Sequence, residues 1–201
     1  MIKFAILGLA LVAAPVLAQD AGSNFNGPYI GAQAGWQQDR QTLTVTTPSS
    51  SATNSGSGLS YGGQVGYDIR LGGSAVLGGE VSLTGRSGRT DFDTFDLKQG
   101  RTFNATARLG FMPDDQSLIY ARGGYANARY TIENATTRVS ENRNGFTVGA
   151  GYERYLAQNV SARLEYNYSD FGADDLSAAI GAGSRLDYSR HAVTAGVNLR
   201  F

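Results

Sequence analysis

Leu59-Ser-Tyr-Gly-Gly-Gln-Val-Gly-Tyr-Asp-Ile-Arg-Leu71 alternates without a break. Its odd positions carry Leu59, Tyr61, Gly63, Val65, Tyr67, Ile69 and Leu71, its even ones Ser60, Gly62, Gln64, Gly66, Asp68 and Arg70. A period of two belongs to a β-strand, whose successive side chains point to opposite faces. One face of this strand is apolar and the other is small or polar.

The same period recurs on both sides of that stretch. Ile30, Ala32, Ala34 and Trp36 share a face in a first run, and Leu77, Gly79, Val81 and Leu83 in a third. Later runs give Phe103, Ala105, Ala107, Leu109 and Phe111, then Ile119, Ala121, Gly123 and Tyr125, then Phe146, Val148, Ala150 and Tyr152. The last two give Val160, Ala162, Leu164, Tyr166 and Tyr168, and Val193, Ala195, Val197, Leu199 and Phe201. No comparable stretch carries helical spacing. The connections alternate too: 72–74, 113–117 and 157–159 are short, whereas 40–57, 87–98, 131–144 and 172–188 are long and polar. Eight strands with short turns at one end and long loops at the other give an all-β, eight-stranded antiparallel up-and-down transmembrane β-barrel, with both termini on the short-turn side.

The start of the chain sets the compartment. Lys3, the apolar residues 4–16 and Val16-Leu17-Ala18 form a secretory signal peptide, 1–18, cleaved after Ala18, with Ala21 as second choice. An uncleaved anchor helix is disfavoured because the apolar stretch is short. Residues 19–27 are assigned to a short periplasmic segment and 28–201 to the barrel. Removing Lys3 from 17 basic and 17 acidic residues leaves one net negative charge, so no basic surplus points to nucleic acid. With no cysteine and a single histidine, neither a disulfide framework nor a thiolate metal site is supported, and no cofactor is expected.

Alternation also suits a soluble sandwich or a lipocalin-type barrel, so the occupants of each face must decide. The polar face is mostly Gly, Ser, Thr, Asn and Gln: a poor solvent surface but a workable crowded interior. With strands running alternately up and down, Trp36, Tyr61, Phe103, Phe146 and Tyr168 fall near the long-loop end. Tyr67, Phe111, Tyr152 and Phe201 fall near the short-turn end. Two aromatic girdles around a band of Ala, Val, Leu and Gly are expected at the two boundaries of a bilayer. In lipid each unpaired backbone group costs several kcal/mol, so the sheet must close.

Strand parity then puts Glu80, Arg108, Arg122, Glu153, Arg163 and Glu165 inside, at similar depths. An eight-stranded barrel has a lumen that side chains fill, and buried charges must be paired. A salt-bridged, closed interior follows, with Arg122 expected to meet Glu80 or Glu153. A proton or ion pathway is the functional alternative for interior ionisable groups, disfavoured by the narrow lumen.

Gly149-Ala-Gly-Tyr-Glu-Arg-Tyr-Leu156, Ser161-Ala-Arg-Leu-Glu-Tyr-Asn-Tyr-Ser-Asp-Phe-Gly172 and His191-Ala-Val-Thr-Ala-Gly-Val-Asn-Leu-Arg-Phe201 resemble the last three strands of the small outer-membrane β-barrel surface proteins of alphaproteobacteria. The likeness covers roughly residues 28–201. That group is related in architecture to the membrane domain of outer-membrane protein A. The resemblance implies an abundant, porin-like surface protein of a Gram-negative cell envelope and supplies no catalytic residues. No peptidoglycan-binding domain is read after Phe201, and the Ser/Thr-rich loop 42–57 departs from the group's pattern, so loop partners do not carry over.

Ser189 and His191, with Asp187 of the same parity, suggest a nucleophile and base at the outer rim, but i, i+2 spacing on one strand rarely builds a triad. Asp91-Phe-Asp-Thr-Phe-Asp96 offers carboxylates to calcium yet lacks the glycine and terminal glutamate of the calcium-loop motif. Strand glycines such as Gly62-Gly63, Gly78-Gly79 and Gly123-Gly124 follow no strand-to-helix turn, so barrel curvature and room for inward side chains explain them better than phosphate binding. The expected function is a non-enzymatic outer-membrane barrel that supports the envelope and presents polar loops. A narrow channel and a lipid-modifying enzyme are the alternatives. Expected partners are outer-membrane lipids and lipopolysaccharide, a surface ligand for the loops, and the barrel-assembly machinery, which would read Phe201 as an insertion signal.

Overall fold

The computed structural model describes residues 24–46, 49–87, 90–92, 95–133, 138–175 and 185–201, so the proposed leader lies outside it. Among the described residues nine strands follow in order: β1 (Gly27–Thr46), β2 (Ser49–Arg70), β3 (Ala75–Ser87), β4 (Thr90–Phe92), β5 (Phe95–Asp114), β6 (Ser117–Glu133), β7 (Arg138–Ala157), β8 (Val160–Asp175) and β9 (Arg185–Arg200). Sequential neighbours pair antiparallel, except that β3 pairs with β5 instead of β4, and β1 also pairs with β9, which closes the wall. The three-residue β4 pairs with β5 above the end of β3, so the eight-strand barrel stands with one added rim strand.

The two faces hold opposite contents from those of a soluble protein. Apart from the half-buried Val160 and Tyr168, the large apolar residues of the alternating runs are exposed, from 40% for Phe103 to 60% for Leu109. The buried side chains of the same strands include Gln64, Glu80, Arg108, Glu153, Arg163 and Asn198. A water-soluble sandwich cannot expose so continuous an apolar surface. The outer wall therefore fits lipid, and the core is polar.

The long connections differ from expectation. The ladder runs on from Arg40↔Ser55 to Thr46↔Ser49, from Thr131↔Ser140 to Glu133↔Arg138, and from Ala173↔Asp187 to Asp175↔Arg185. Segments expected as loops are largely β-ribbons. A tilted strand crosses a bilayer in about 9–11 residues, but β1 and β2 have 20 and 22. Beyond the lipid both faces of a ribbon are wet, so the apolar period stops while backbone pairing continues.

The opposite end is tight. Gly72 and Gly73 hold φ of 86° and 50°, values that favour glycine, and Leu71 N–H donates to Ala75 O at 2.9 Å. The segment assigned to the periplasm also behaves differently from expectation. Phe25, at φ 58°, is fully buried in the barrel mouth with Val76, Met112, Leu118 and Tyr120, edge-on to Tyr155 at 4.9 Å. No period announces it, because one inserted ring needs no alternation.

Candidate functional site

The structure places all six charges nominated from the sequence in the barrel interior, each no more than 9% exposed. They belong to two stacked rings of alternating sign. In the ring nearer the short turns, Arg108 Nε donates to Asp68 Oδ1 at 2.8 Å and its Nη1 to Glu153 Oε2 at 3.0 Å. Arg200 Nη1 reaches Asp68 Oδ2 at 2.8 Å, and its Nη2 reaches Glu153 Oε1 at 2.9 Å. Asn198 and Ser161 also donate to Glu153.

The next ring joins Arg122 to Glu165 at 2.6 Å and to Glu80 at 3.0 Å, while Arg163 pairs with Glu80 and lies 3.9 Å from Glu165. Tyr29 and Tyr120 tie the rings together. Their hydroxyls donate to Glu80 and Glu165 at 2.8 Å each, and their rings lie 4.7 and 5.1 Å from the Arg108 guanidinium. Four carboxylates and four guanidiniums thus compensate one another, as burial demands.

A third group sits toward the ribbons. Asp39 accepts from Arg190 Nε at 2.6 Å, Tyr188 Oη at 2.6 Å and Arg86 Nη1 at 3.0 Å, with Phe171 packed on Tyr188. Between this group and the second ring lies a polar cavity of about 50 Å³, lined by Gln33, Ser82, Thr147, Asn167, Ser169 and Thr194 among others. That volume holds a few water molecules and no larger solute.

Glycines on the inner face make the contacts possible. In the ladder Asp68 stands opposite Gly78, and Gly78 opposite Arg108. A Cβ on Gly78 would press on the Asp68 carboxylate and on Arg108 Cγ. Gly31 likewise separates Gln64 from Asn198, whose side chains meet over it at 2.8 Å. Each missing side chain lets residues two strands apart touch.

Asp68 and Arg200, which have the inward parity, and the Asp39 group, which lies where the ribbons begin, are not among the six charges nominated from the sequence. The partner expected for Arg122 is Glu80 or Glu153. The structure gives Glu80 and Glu165, because the register sets Arg122 beside Gly149 and Glu153 four residues lower, beside Leu118. Trp36, Tyr61, Tyr67, Phe103, Phe111, Phe146, Tyr152 and Phe201 all stand exposed on the outer wall, with Tyr168 half-buried there and Tyr125 and Tyr166 as further exposed rings. Ser189 and His191 point outward at the rim. His191 Nδ1 is engaged by the Tyr166 hydroxyl at 2.7 Å, and its ring packs on Tyr168 at 5.0 Å, which makes the histidine part of the aromatic belt. Of the Asp91–Asp96 stretch, Asp91 pairs with Asp96 and Phe92 with Phe95 through the β4–β5 backbone, and the side chains lie outside the described ones.

A polar, ion-paired core inside an apolar wall is the organisation of a membrane barrel, and the sequence profile of the outer membrane protein beta-barrel domain matches residues 4–201. The chain belongs to that family. Within it, a 22 kDa outer membrane protein of Rhizobium leguminosarum is 31% identical over 104 residues, 52% of this chain and 48% of that protein. The 25 kDa outer-membrane immunogenic protein of Brucella abortus is 28% identical over 109 residues, 54% of this chain and 50% of that one. The chain thus spans about half the length of the curated relatives it matches. Among solved structures, Neisserial surface protein A has a TM-score of 0.59 at 16% identity, covering 88% of this chain and 98% of that one. The attachment invasion locus protein of Yersinia pestis has 0.53 at 17%, covering 87% and 99%. These likenesses show the shared fold. Like other members of the family, this is an outer-membrane β-barrel protein.

Proposed function

We propose that the protein is a non-enzymatic surface barrel, closed to bulk solute, that supports the envelope and carries its polar β-ribbons outside the cell. The carrying observation is the pair of stacked charge rings, in which every carboxylate contacts at least one guanidinium across the lumen. Opening a water path would require those contacts to part together, and breaking one buried pair typically costs about 3–5 kcal/mol. The name of the Brucella relatives, outer-membrane immunogenic protein, is consistent with exposed ribbons as the working surface. Lipopolysaccharide is the surrounding partner in this reading, and Phe201 is the end offered to the assembly machinery.

Planar-bilayer recording of the purified, refolded protein tests the closed interior. No steady current of nanosiemens order is expected, and such a current would overturn the reading, since it needs the wide lumen of larger barrels. A narrow pore is the second reading, favoured by the polar cavity between the second ring and the Asp39 group. It predicts small, discrete openings in the same recording. An altered lipid A mass spectrum in cells expressing the protein would instead reveal a lipid-modifying enzyme.

A further inference from the structure

Where strands β5 and β6 leave the aromatic belt, the ladder is irregular. Thr102 pairs with Ala128 and Gln99 with Tyr130, so Gly100 and Arg101 together stand opposite Arg129. Arg101 is two residues above Phe103 and shares its outward face; Arg129 shares the outward face of Tyr125. Both arginines are exposed, and among the described residues neither is ion-paired or hydrogen-bonded. Like charges facing each other across adjacent strands disfavour the pairing, so this pair opposes the sheet that carries it unless an anion lies between the two.

We propose that Arg101 and Arg129 clamp the phosphate of an outer-leaflet glycolipid, a proposal that rests on the ribbons facing the cell exterior. Depth favours a lipid-borne phosphate. Phe103 belongs to the belt at the edge of the hydrocarbon, and two residues at about 3.3 Å each put Arg101 in the headgroup layer. A second observation is the groove on the β3 side of Arg101, across β5 from Arg129, about 490 Å³ and bounded by Tyr61, Leu83 and Gly85. Leu83 and Tyr61 are both about half exposed on the outer wall, so the groove leads from a guanidinium down toward the apolar band. Guanidinium binds phosphate through parallel N–H···O bonds, and one phosphate between two guanidiniums turns their repulsion into a shared attraction. At the other end of the wall the outward Arg154 is, by contrast, engaged by Ser117 and Tyr152, at 3.2 and 3.4 Å.

The test uses the whole refolded protein in detergent, titrated with bis-phosphorylated lipid A, with the same lipid A stripped of phosphate, and with inorganic phosphate. Binding is read by native mass spectrometry and by the denaturant midpoint. Arg101→Gln and Arg129→Gln should each weaken binding of the phosphorylated lipid by roughly tenfold, with no effect on the stripped lipid. Arg40→Gln, an exposed rim arginine on β1, serves as the control and should change little. Without lipid the two variants should be as stable as the unaltered protein or more so, and the phosphorylated lipid should reverse that order. Equal losses for Arg40→Gln, or equal binding of stripped and phosphorylated lipid, would overturn the clamp. Saturation by inorganic phosphate alone would overturn the lipid as its source. A conducting barrel that still shows the reversal would sink the closed reading and leave the clamp intact.

Discussion

Gly78 and Gly79 are neighbours in β3 and face opposite ways. A Cβ on Gly78 would press on Asp68 and Arg108, whereas a Cβ on Gly79 would meet nothing within 4 Å. The inner face is a specific arrangement in which each ring carboxylate meets particular guanidiniums. The outer face needs only to be apolar and to suit its depth in the membrane. One residue along the chain separates the two regimes.

Glu153→Leu should break the inner regime most. It removes the acceptor of Arg108, Arg200, Asn198 and Ser161 and leaves guanidiniums buried without full compensation. A loss of about 3–5 kcal/mol is expected in the unfolding midpoint; an unchanged midpoint would show that the rings contribute nothing to stability. Next in size is a depth test of the outer regime. Ala107→Arg, near the middle of the apolar band, should cost about 2–4 kcal/mol, and Phe103→Arg only about 0–1 once the Phe103→Ala loss is subtracted. Equal arginine penalties at the two depths in lipid vesicles would mean that the wall does not face a bilayer. Smallest is the glycine pair itself: Gly78→Ala should cost about 1–3 kcal/mol by overpacking, and Gly79→Ala should stay within about 0.5 kcal/mol of the unaltered protein. If the two substitutions matched, the inner glycines would serve curvature alone.

The same contrast explains what could be read from the sequence. Lipid asks one question of the outer face, apolar or not, and a period of two answers it for the run from Leu59 to Leu71. Parity also tells which charges are inside. It does not tell which ones meet. In the ladder Arg108 stands opposite Arg122, and Glu153 opposite Arg163, yet the ion pairs form elsewhere: Arg108 with Asp68 and Glu153, Arg163 with Glu80. Contacts across a lumen depend on strand tilt and on which neighbours are glycine, neither of which a single run reveals. Phe25 was illegible for a different reason, since it precedes the first strand and follows no pattern.

The pairing of β1 with β9, from Tyr29↔Arg200 to Thr44↔Arg185, has a kinetic consequence. The wall is joined by the first and last strands, so closure brings together segments from opposite ends of the sequence and is entropically late. Every other pairing in the wall except this one and β3–β5 joins strands adjacent in sequence. A half-formed barrel therefore has two open edges, β1 and β9, each presenting unpaired amides and carbonyls that would take up any available strand. The vulnerable moment in this protein's life is the interval before those two edges find each other, and its length, more than the strength of the finished barrel, sets how much chain is lost to aggregation.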